Sequence, residues 1–558
     1  MITITERKTK KVPGITSVFV DFKYDAGIIE ELKSLPCKNY SKSTNQWEVP
    51  IIYLAELIDK LCVYDDIKLK FCNLTFEDDI TYKLSDYKTK PFPYQLDGIQ
   101  YGLNHDSWLL LDPPGLGKSL QLIYLAEELK KRDKLKHCLI ICGINTLKTN
   151  WQKEISKHSK LDCKILGERV RKNGKRYIGN VEERLKDLKG NCKEFFLITN
   201  IETLRNDKIV KAVNDPKNKI NCIFCDEIHV CKSNTSQQGK NLLKLNKAKY
   251  KVGATGTLLM NKPLDAFVPL KWIDADRSTQ GNYEHYYCVY GGDFNHEFLG
   301  YRNLSTLQKQ LELYTLRRPK SLLNLPPKTI IEEYVDMTDS QKKFYEDIKN
   351  GVVESVDKVK LKPAMVMGMV MRLRQATACP SILTTQAIPS AKLDRTEDLV
   401  EQITSEGNKV VIFSTFKETV YELQQRLKQY KPLIGTGDLD DEVISANVDQ
   451  FQSSDENKVF IGTWQKCGTG ITLTAANYMI FIDTPWTDAA FTQNCDRIYR
   501  IGTDRPVTIY NLITTETVDE QVLEIVTDKG AISDYVLDGT ITEKGFKSLQ
   551  KYIEELKQ

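Results

Sequence analysis

From residue 108 to residue 513, short apolar runs alternate with longer amphipathic stretches. Runs at 108–111, 138–142, 195–199, 222–225 and 250–254 are apolar on both faces, as strands buried inside a parallel sheet are. Helical spacing fills the intervals. A second series follows at 329–335, 409–414, 458–462, 478–483 and 507–513. This alternation predicts an α/β chain with two parallel-sheet lobes, covering residues 76–325 and 326–540. Residues 265–325 lose the rhythm and are rich in aromatics (Tyr283, Tyr286, Tyr287, Tyr290, Phe294), which predicts a helical or irregular insertion in the first lobe. Residues 1–75 read as a small α+β module. Val18–Phe22 alternates as a strand, Gly27–Leu35 is helix-like, Tyr40–Val49 forms a hairpin, and Pro50 opens a helix over Ile51–Leu61. A polar linker holding Pro91 and Pro93 follows. Residues 541–558 pattern as an amphipathic helix.

Composition adds bounds. The 558 residues are 41% hydrophobic and 28% charged, a globular balance that argues against a disordered or fibrous chain. The formal net charge of +4 excludes a histone-like polycation but not a local basic groove. No apolar run approaches the roughly 18 residues of a membrane span. The start is polar and lacks a signal-peptide core. With 14 cysteines, many of them in apolar runs, the chain is expected to hold reduced thiols in a cytoplasmic setting, or a nuclear one in a eukaryote. Cys222-x-x-Cys225 has no second pair at finger spacing, which argues against zinc.

Chemistry concentrates at three places. In Leu109-Leu-Leu-Asp-Pro-Pro-Gly-Leu-Gly-Lys-Ser119 a strand ends, a glycine loop turns and a helix begins, which builds an anion site from loop and helix N–H groups. Lys118 is placed to reach the β- and γ-phosphates of a nucleotide, and the Ser119 hydroxyl to ligate Mg²⁺. Asp112 stands where a strict phosphate loop has glycine. In Cys222-Ile-Phe-Cys-Asp-Glu-Ile-His229, adjacent carboxylates end a buried strand. Such a pair is costly unless it serves a cation or a water. Asp226 suits Mg²⁺ and Glu227 suits polarising an attacking water. In Gln493-Asn-Cys-Asp-Arg-Ile-Tyr-Arg500, Arg497 and Arg500 are three apart, so on a helix they share one face. They are either a solvated face paired with Asp496 or a clamp on a γ-phosphate.

Taken in order, these segments resemble the Snf2 family of superfamily 2 helicases. Pro93–Gln100 is similar to the family's adenine-sensing motif and Asp112–Ser119 to its motif I. Leu147–Glu154, Ile198–Leu204, Asp226–His229 and Ala254–Asn261 are similar to motifs Ia, Ib, II and III. Leu316–Lys320 with Leu325–Lys328 resembles the Snf2 link between lobes, and Met371–Gln375 is also Snf2-like. Val410–Phe416 is similar to motif IV and Gly462–Leu473 to motif V. Asp483–Trp486 with Gln493–Gly502 is similar to motif VI. Pro113, Ile228, Leu258 and Thr503 depart from the family's usual acid, Ala, Pro and Gln. The resemblance implies two RecA-like lobes, with ATP and Mg²⁺ as cofactors. It implies nucleotide contacts at Tyr94, Gln95, Pro114, Gly115, Leu116, Gly117, Lys118, Ser119, Leu120, Gly470, Arg497 and Arg500. Lys118, Asp226, Glu227, Arg497 and Arg500 would do the catalytic work.

Phe22–Asp25, Leu32–Pro36 and Gln46–Pro50 are similar to the HARP substrate module of annealing helicases. That likeness implies a duplex-DNA translocase, a monomeric motor with no membrane attachment, acting on forked or branched DNA. DNA contact is expected at phosphates, and so to be salt-dependent. The candidates are Lys148 and Trp151, by resemblance, Trp47, and the basic stretch Arg169, Arg171, Lys172, Lys175 and Arg176. In that stretch Asn173-Gly174 favours a hairpin turn. An RNA helicase and a nucleotide-gated binding module remain alternatives.

Overall fold

The computed structural model describes every residue except 9–14, 43, 71–86, 134, 144, 172–175, 257, 259–262, 292–296, 324, 357–362, 469, 487 and 528–558. The expected C-terminal helix therefore lies outside the described residues, as do Lys172 and Lys175. The chain divides into two compact units: residues 1–113 with 117–320, and residues 114–116 with 321–558. No helix of the described residues is long and apolar enough to cross a membrane.

The core of the first unit is a seven-stranded sheet, every pair of it parallel. Its order is Thr315–Leu316, Ser107–Leu110, Tyr250–Ala254, Ile220–Asp226, His137–Cys142, Phe196–Asn200 and Cys163–Ile165. The apolar runs become these strands because both of their faces are covered. Leu109, Leu139, Ile141 and Ile223 pack on one side, and Trp108, Ile140, Phe196 and Phe224 on the other. In a parallel sheet all carboxyl ends lie at one edge, where ligands bind. The phosphate loop, the acid pair and Thr255 therefore lie on adjacent strands. The strand Cys163–Ile165 is too short to show in the pattern.

The N-terminal module is a five-stranded sheet with two helices, Ala26–Ser34 and Leu54–Leu61. Its strand order is Asn39–Ser41, Gln46–Pro50, Ile15–Asp21, Ile2–Lys8 and Ile67–Lys70. Asp25 caps the first helix through Gly27 N at 2.8 Å and Ile28 N at 3.1 Å. The module shares a core with the insertion. Tyr53 meets Tyr286 edge-on at 5.5 Å, Glu56 accepts from the Tyr286 hydroxyl at 2.5 Å, and Glu48 pairs with Arg277 at 3.3 Å. Trp47, a candidate DNA contact, is half-buried, packs on this core and lies 5.2 Å from the Tyr40 ring. The insertion, expected to be helical or irregular, also holds a strand pair. Helices Phe267–Trp272, Gln280–Tyr287 and Leu304–Tyr314 frame an antiparallel hairpin, Cys288–Gly291 with Glu297–Tyr301. Tyr283, Tyr286 and Tyr287 are buried and form the aromatic seam that the module covers.

The second unit holds a six-stranded sheet, also parallel throughout. Its order is Lys328–Val335, Val507–Thr514, Tyr478–Phe481, Val410–Ser414, Val459–Thr463 and Leu433–Gly435.

Tyr53→Ala should cost about 3 kcal/mol, since it removes a fully buried aromatic from the seam. The check is the midpoint of chemical unfolding. An unchanged midpoint would mean that the module does not stabilise the first unit.

Candidate nucleotide site

The strand Ser107–Leu110 leads into the loop, and the helix Lys118–Asp133 leaves it. Gly115 and Gly117 have φ of +93° and +74°, a region that L side chains rarely adopt. A Cβ on Gly117 would lie 2.3 Å from Gln95 Nε2, so glycine also makes room for that amide. Gln95 is buried, and its Oε1 accepts from Phe92 N at 2.9 Å, which holds the side chain at the start of the helix Pro93–Asn104. Lys118 Nζ donates to the Asp112 carbonyl at 2.9 Å.

Asp226 ends its strand next to the Ala254 register position, and Thr255 follows. Glu227 takes the left-handed conformation with φ of 53°, which turns the chain sharply out of the sheet. Its carboxylate lies 3.2 Å from His229 Nδ1 and accepts from Thr255 Oγ1 at 3.4 Å. His229 Nδ1 and Thr255 Oγ1 share a 2.8 Å hydrogen bond. The Glu227 carboxylate is thus held by its own segment and by the segment that follows the neighbouring strand. Sequence reading assigned neither His229 nor Thr255.

Crowding by protein around Asp226 pushes its carboxyl up to about 6, the Glu227 carboxylate adds to the rise, and Lys118 and Trp151 oppose it. Burial is the larger cause and the neighbouring carboxylate the smaller one, and a bound cation would offset both. The Ser119 hydroxyl and the Asp226 carboxylate are oxygen donors of the kind Mg²⁺ takes. These residues fit the ion. When bound beside a nucleotide, it supplies charge neutralisation to the phosphates.

Several candidates move. Trp151 is 1% exposed, and its Nε1 donates to Asp226 Oδ2 at 3.0 Å. It therefore supports the acid rather than meeting DNA. Lys148, 5% exposed, is also too deep for a surface contact. The basic ribbon exists, as Glu168–Val170 pairs antiparallel with Arg176–Ile178. Arg169, however, is committed to the Asp187 carboxylate through two bonds of 3.0 Å, and Asp187 holds its guanidinium above the ordinary range. Arg171 is exposed over the Tyr177 ring, and exposed Arg176 reaches Glu168 at 3.4 Å.

In the second unit, Arg497 and Arg500 are not on a helix. The helix Asp488–Cys495 ends first, and both arginines lie in turns. An i, i+3 spacing is equally at home in consecutive turns, and Arg497 N still bonds Asn494 O at 3.0 Å. Arg497, 7% exposed, donates to Ile471 O at 3.2 Å and Gln493 O at 3.1 Å. Arg500 donates to Thr472 Oγ1 at 3.0 Å. Gly470, next to this segment, has φ of +77°. Thr503, where the Snf2 pattern has Gln, accepts from Arg500 N at 3.1 Å and donates to Ile498 O at 2.6 Å, so it fixes the turn.

Asp483 gathers the remaining motifs of this unit. It accepts from Ser414 Oγ at 2.6 Å, from Thr415 N at 3.0 Å and from Arg374 Nη2 at 3.4 Å. The Arg374 guanidinium lies 4.3 Å over the Trp486 ring and donates to Thr484 O at 2.6 Å. Arg374 is the second arginine of the Snf2-like Met371–Gln375 stretch, to which sequence reading gave no role.

A strand–glycine loop–helix with Lys118 and Ser119, beside an acid pair at a parallel sheet's carboxyl edge, defines a phosphate-loop nucleotide-binding protein. The family model of the SNF2-related domain matches residues 55–382, and that of the helicase conserved C-terminal domain matches residues 391–502. The chain belongs to the SNF2-related family, within superfamily 2 of the helicases.

An uncharacterized ATP-dependent helicase of Mycoplasma pneumoniae is 24% identical over 90% of this chain and 48% of its own length. The ISWI chromatin-remodeling complex ATPase ISW1 of Saccharomyces cerevisiae is 26% identical over 80% of this chain and 40% of its own. The chain thus spans less than half the length of these curated relatives. The solved SWI2/SNF2 ATPase core of Sulfolobus solfataricus in complex with dsDNA is 22% identical over 85% of this chain and 98% of that one, with a TM-score of 0.36.

The raised Asp226 carboxyl sets a pH signature. A carboxyl higher in the folded than in the unfolded protein stabilises below its unfolded value and loses that stability as pH rises through its folded value. Asp226→Asn should therefore raise the melting temperature of the metal-free protein. The gain should grow from about pH 4 to about pH 6 and then level off. Calorimetry across that range checks it, and a gain independent of pH would contradict it.

Proposed function

We propose that this chain is an ATP-hydrolysing, DNA-dependent translocase that remodels forked or branched duplexes. The observation that carries the motor reading is the joint placement of Lys118, Asp226 and Glu227 at one sheet edge in a member of the SNF2-related family. In this reading Lys118 and Ser119 hold the phosphates and the Mg²⁺ with Asp226, and Glu227 orients the attacking water. Gln95 reads the adenine. The resemblance gives Arg497 and Arg500 to the γ-phosphate, where they stabilise charge that develops in the transition state. Their hydrogen bonds to Ile471 and Thr472 tie them to the motif V segment, so a shift of that segment would carry them.

The partner is duplex DNA, engaged through its phosphates. The yeast relative's name refers to chromatin remodelling, which supports a DNA rather than an RNA substrate. Among the described DNA-contact candidates, Arg171 and Arg176 on the ribbon are exposed. The preference for forks rests on the likeness of residues 1–75 to the HARP module. A cytoplasmic setting remains an expectation.

Lys118→Ala should abolish ATP hydrolysis, and Arg500→Ala should keep ATP binding while losing turnover by about 10³-fold, the scale of an arginine that stabilises transition-state charge. Phosphate-release assays with nucleotide titrations check both, and full turnover in Lys118→Ala would refute the site. Comparing forked with linear DNA, with and without Glu48→Arg in the module, tests the fork reading. An unchanged fork-to-linear ratio would leave a generic translocase.

A further inference from the structure

We propose that Arg318 is a positioning residue for the nucleotide: it fastens the segment that leaves the first unit to the base of the phosphate loop. The inference rests on the reading that this loop holds ATP.

Asp112 opens the loop and is 0% exposed. Its carboxylate accepts from the backbone N and the Nε of Arg318, each at 3.1 Å, from Arg318 Nη2, and from Gln121 Nε2 at 3.2 Å. The carbonyl of the same residue accepts from Lys118 Nζ. The lysine assigned to the phosphates therefore hangs from the very peptide unit whose side chain Arg318 holds.

Arg318 reaches further. Its Nη1 donates to the Tyr94 carbonyl, its guanidinium lies 5.3 Å over the Tyr94 ring, and its Nη2 donates to Gln121 Oε1 at 2.5 Å. Tyr94 precedes Gln95, the candidate adenine reader. Gly98 leaves the space for this approach, since a Cβ there would lie 2.0 Å from Gln121 Oε1. One side chain thus joins the two segments assigned to the adenine and the phosphates.

The backbone repeats the fastening. Thr315–Leu316 pairs in parallel with Leu109–Leu110, and Leu111 N donates to Leu316 O at 2.8 Å. Lys320, two residues after Arg318, is the last residue of the first unit. A displacement of the chain beyond Lys320 reaches Asp112 and Tyr94 directly through Arg318. Neutralising a buried carboxylate needs only one cation. The use of Nε, both Nη atoms and the backbone N to grip two segments goes beyond neutralisation.

The test separates position from charge. Binding of a fluorescent ATP analogue and thermal unfolding are measured on the full chain for Arg318→Met, for the double variant Asp112→Asn with Arg318→Met, and for Lys118→Ala. The double variant has no unpaired buried charge and should unfold within a few degrees of the wild type. Both Arg318 variants should nevertheless bind the analogue about tenfold more weakly. If Arg318→Met alone does not fold, the double variant carries the test. Wild-type affinity in the double variant would overturn the proposal, because Arg318 would then only balance charge. Wild-type affinity in Lys118→Ala would overturn the loop reading itself. Loss of affinity in Lys118→Ala with none in the Arg318 variants would overturn the Arg318 assignment alone.

Discussion

A carboxylate at the carboxyl end of a buried strand must find donors or a cation, because desolvating an unpaired charge costs several kcal/mol. Among the described residues, three such groups stand at the edges of the two large parallel sheets: Asp112, Asp226 and Asp483. Asp112 is answered by Arg318 and Gln121. Asp483 is answered by Ser414, Thr415 and Arg374. Both are sites whose donors come from the protein itself, and each draws distant segments together. Asp226 differs. Trp151 Nε1 and Glu227 N donate to it, yet its carboxyl is still pushed up to about 6. Burial first and the Glu227 carboxylate second hold it there, and it lies at the same sheet edge as the loop that carries Lys118.

That contrast links structure to the proposed chemistry. Asp112 and Asp483 join distant segments, whereas Asp226 offers carboxylate oxygens of the kind a bound cation takes. Glu227, turned out of the sheet by its left-handed backbone, is steadied in its orientation by His229 and Thr255. Preorganised groups of this kind need no rearrangement when charge develops on a substrate. In the second unit, Arg497 and Arg500 are tied to the Ile471–Thr472 segment, so motifs V and VI form one connected piece.

Much of this was legible in the sequence because it is local. Buried parallel strands announce themselves as apolar runs, and the loop and the acid pair follow them within a few residues. Segments with weaker patterns escaped. Ile2–Lys8 alternates only as far as Thr5 before Glu6, Arg7 and Lys8 break the pattern, and Leu433–Gly435 is only three residues long. Roles that depend on long-range partners escaped as well. Trp151 lies 75 residues from Asp226, Arg318 lies 206 from Asp112, and Arg374 lies 109 from Asp483. No periodicity encodes such pairings. Spacing also misled once, at Arg497 and Arg500, because turns reproduce a three-residue offset without a helix. The Asp112 that broke the strict phosphate-loop pattern proved to be the anchor for Arg318. Departures from a motif are where the fold's own requirements show.

Whether the chain is a motor driven by ATP and gated by duplex DNA is tested most directly by steady-state phosphate release, measured without nucleic acid, with duplex DNA and with duplex RNA over a range of salt. The expected result is low basal turnover, strong stimulation by duplex DNA, weak stimulation by RNA and an apparent DNA affinity that falls steeply as salt rises. Turnover that is the same with and without DNA would contradict this reading.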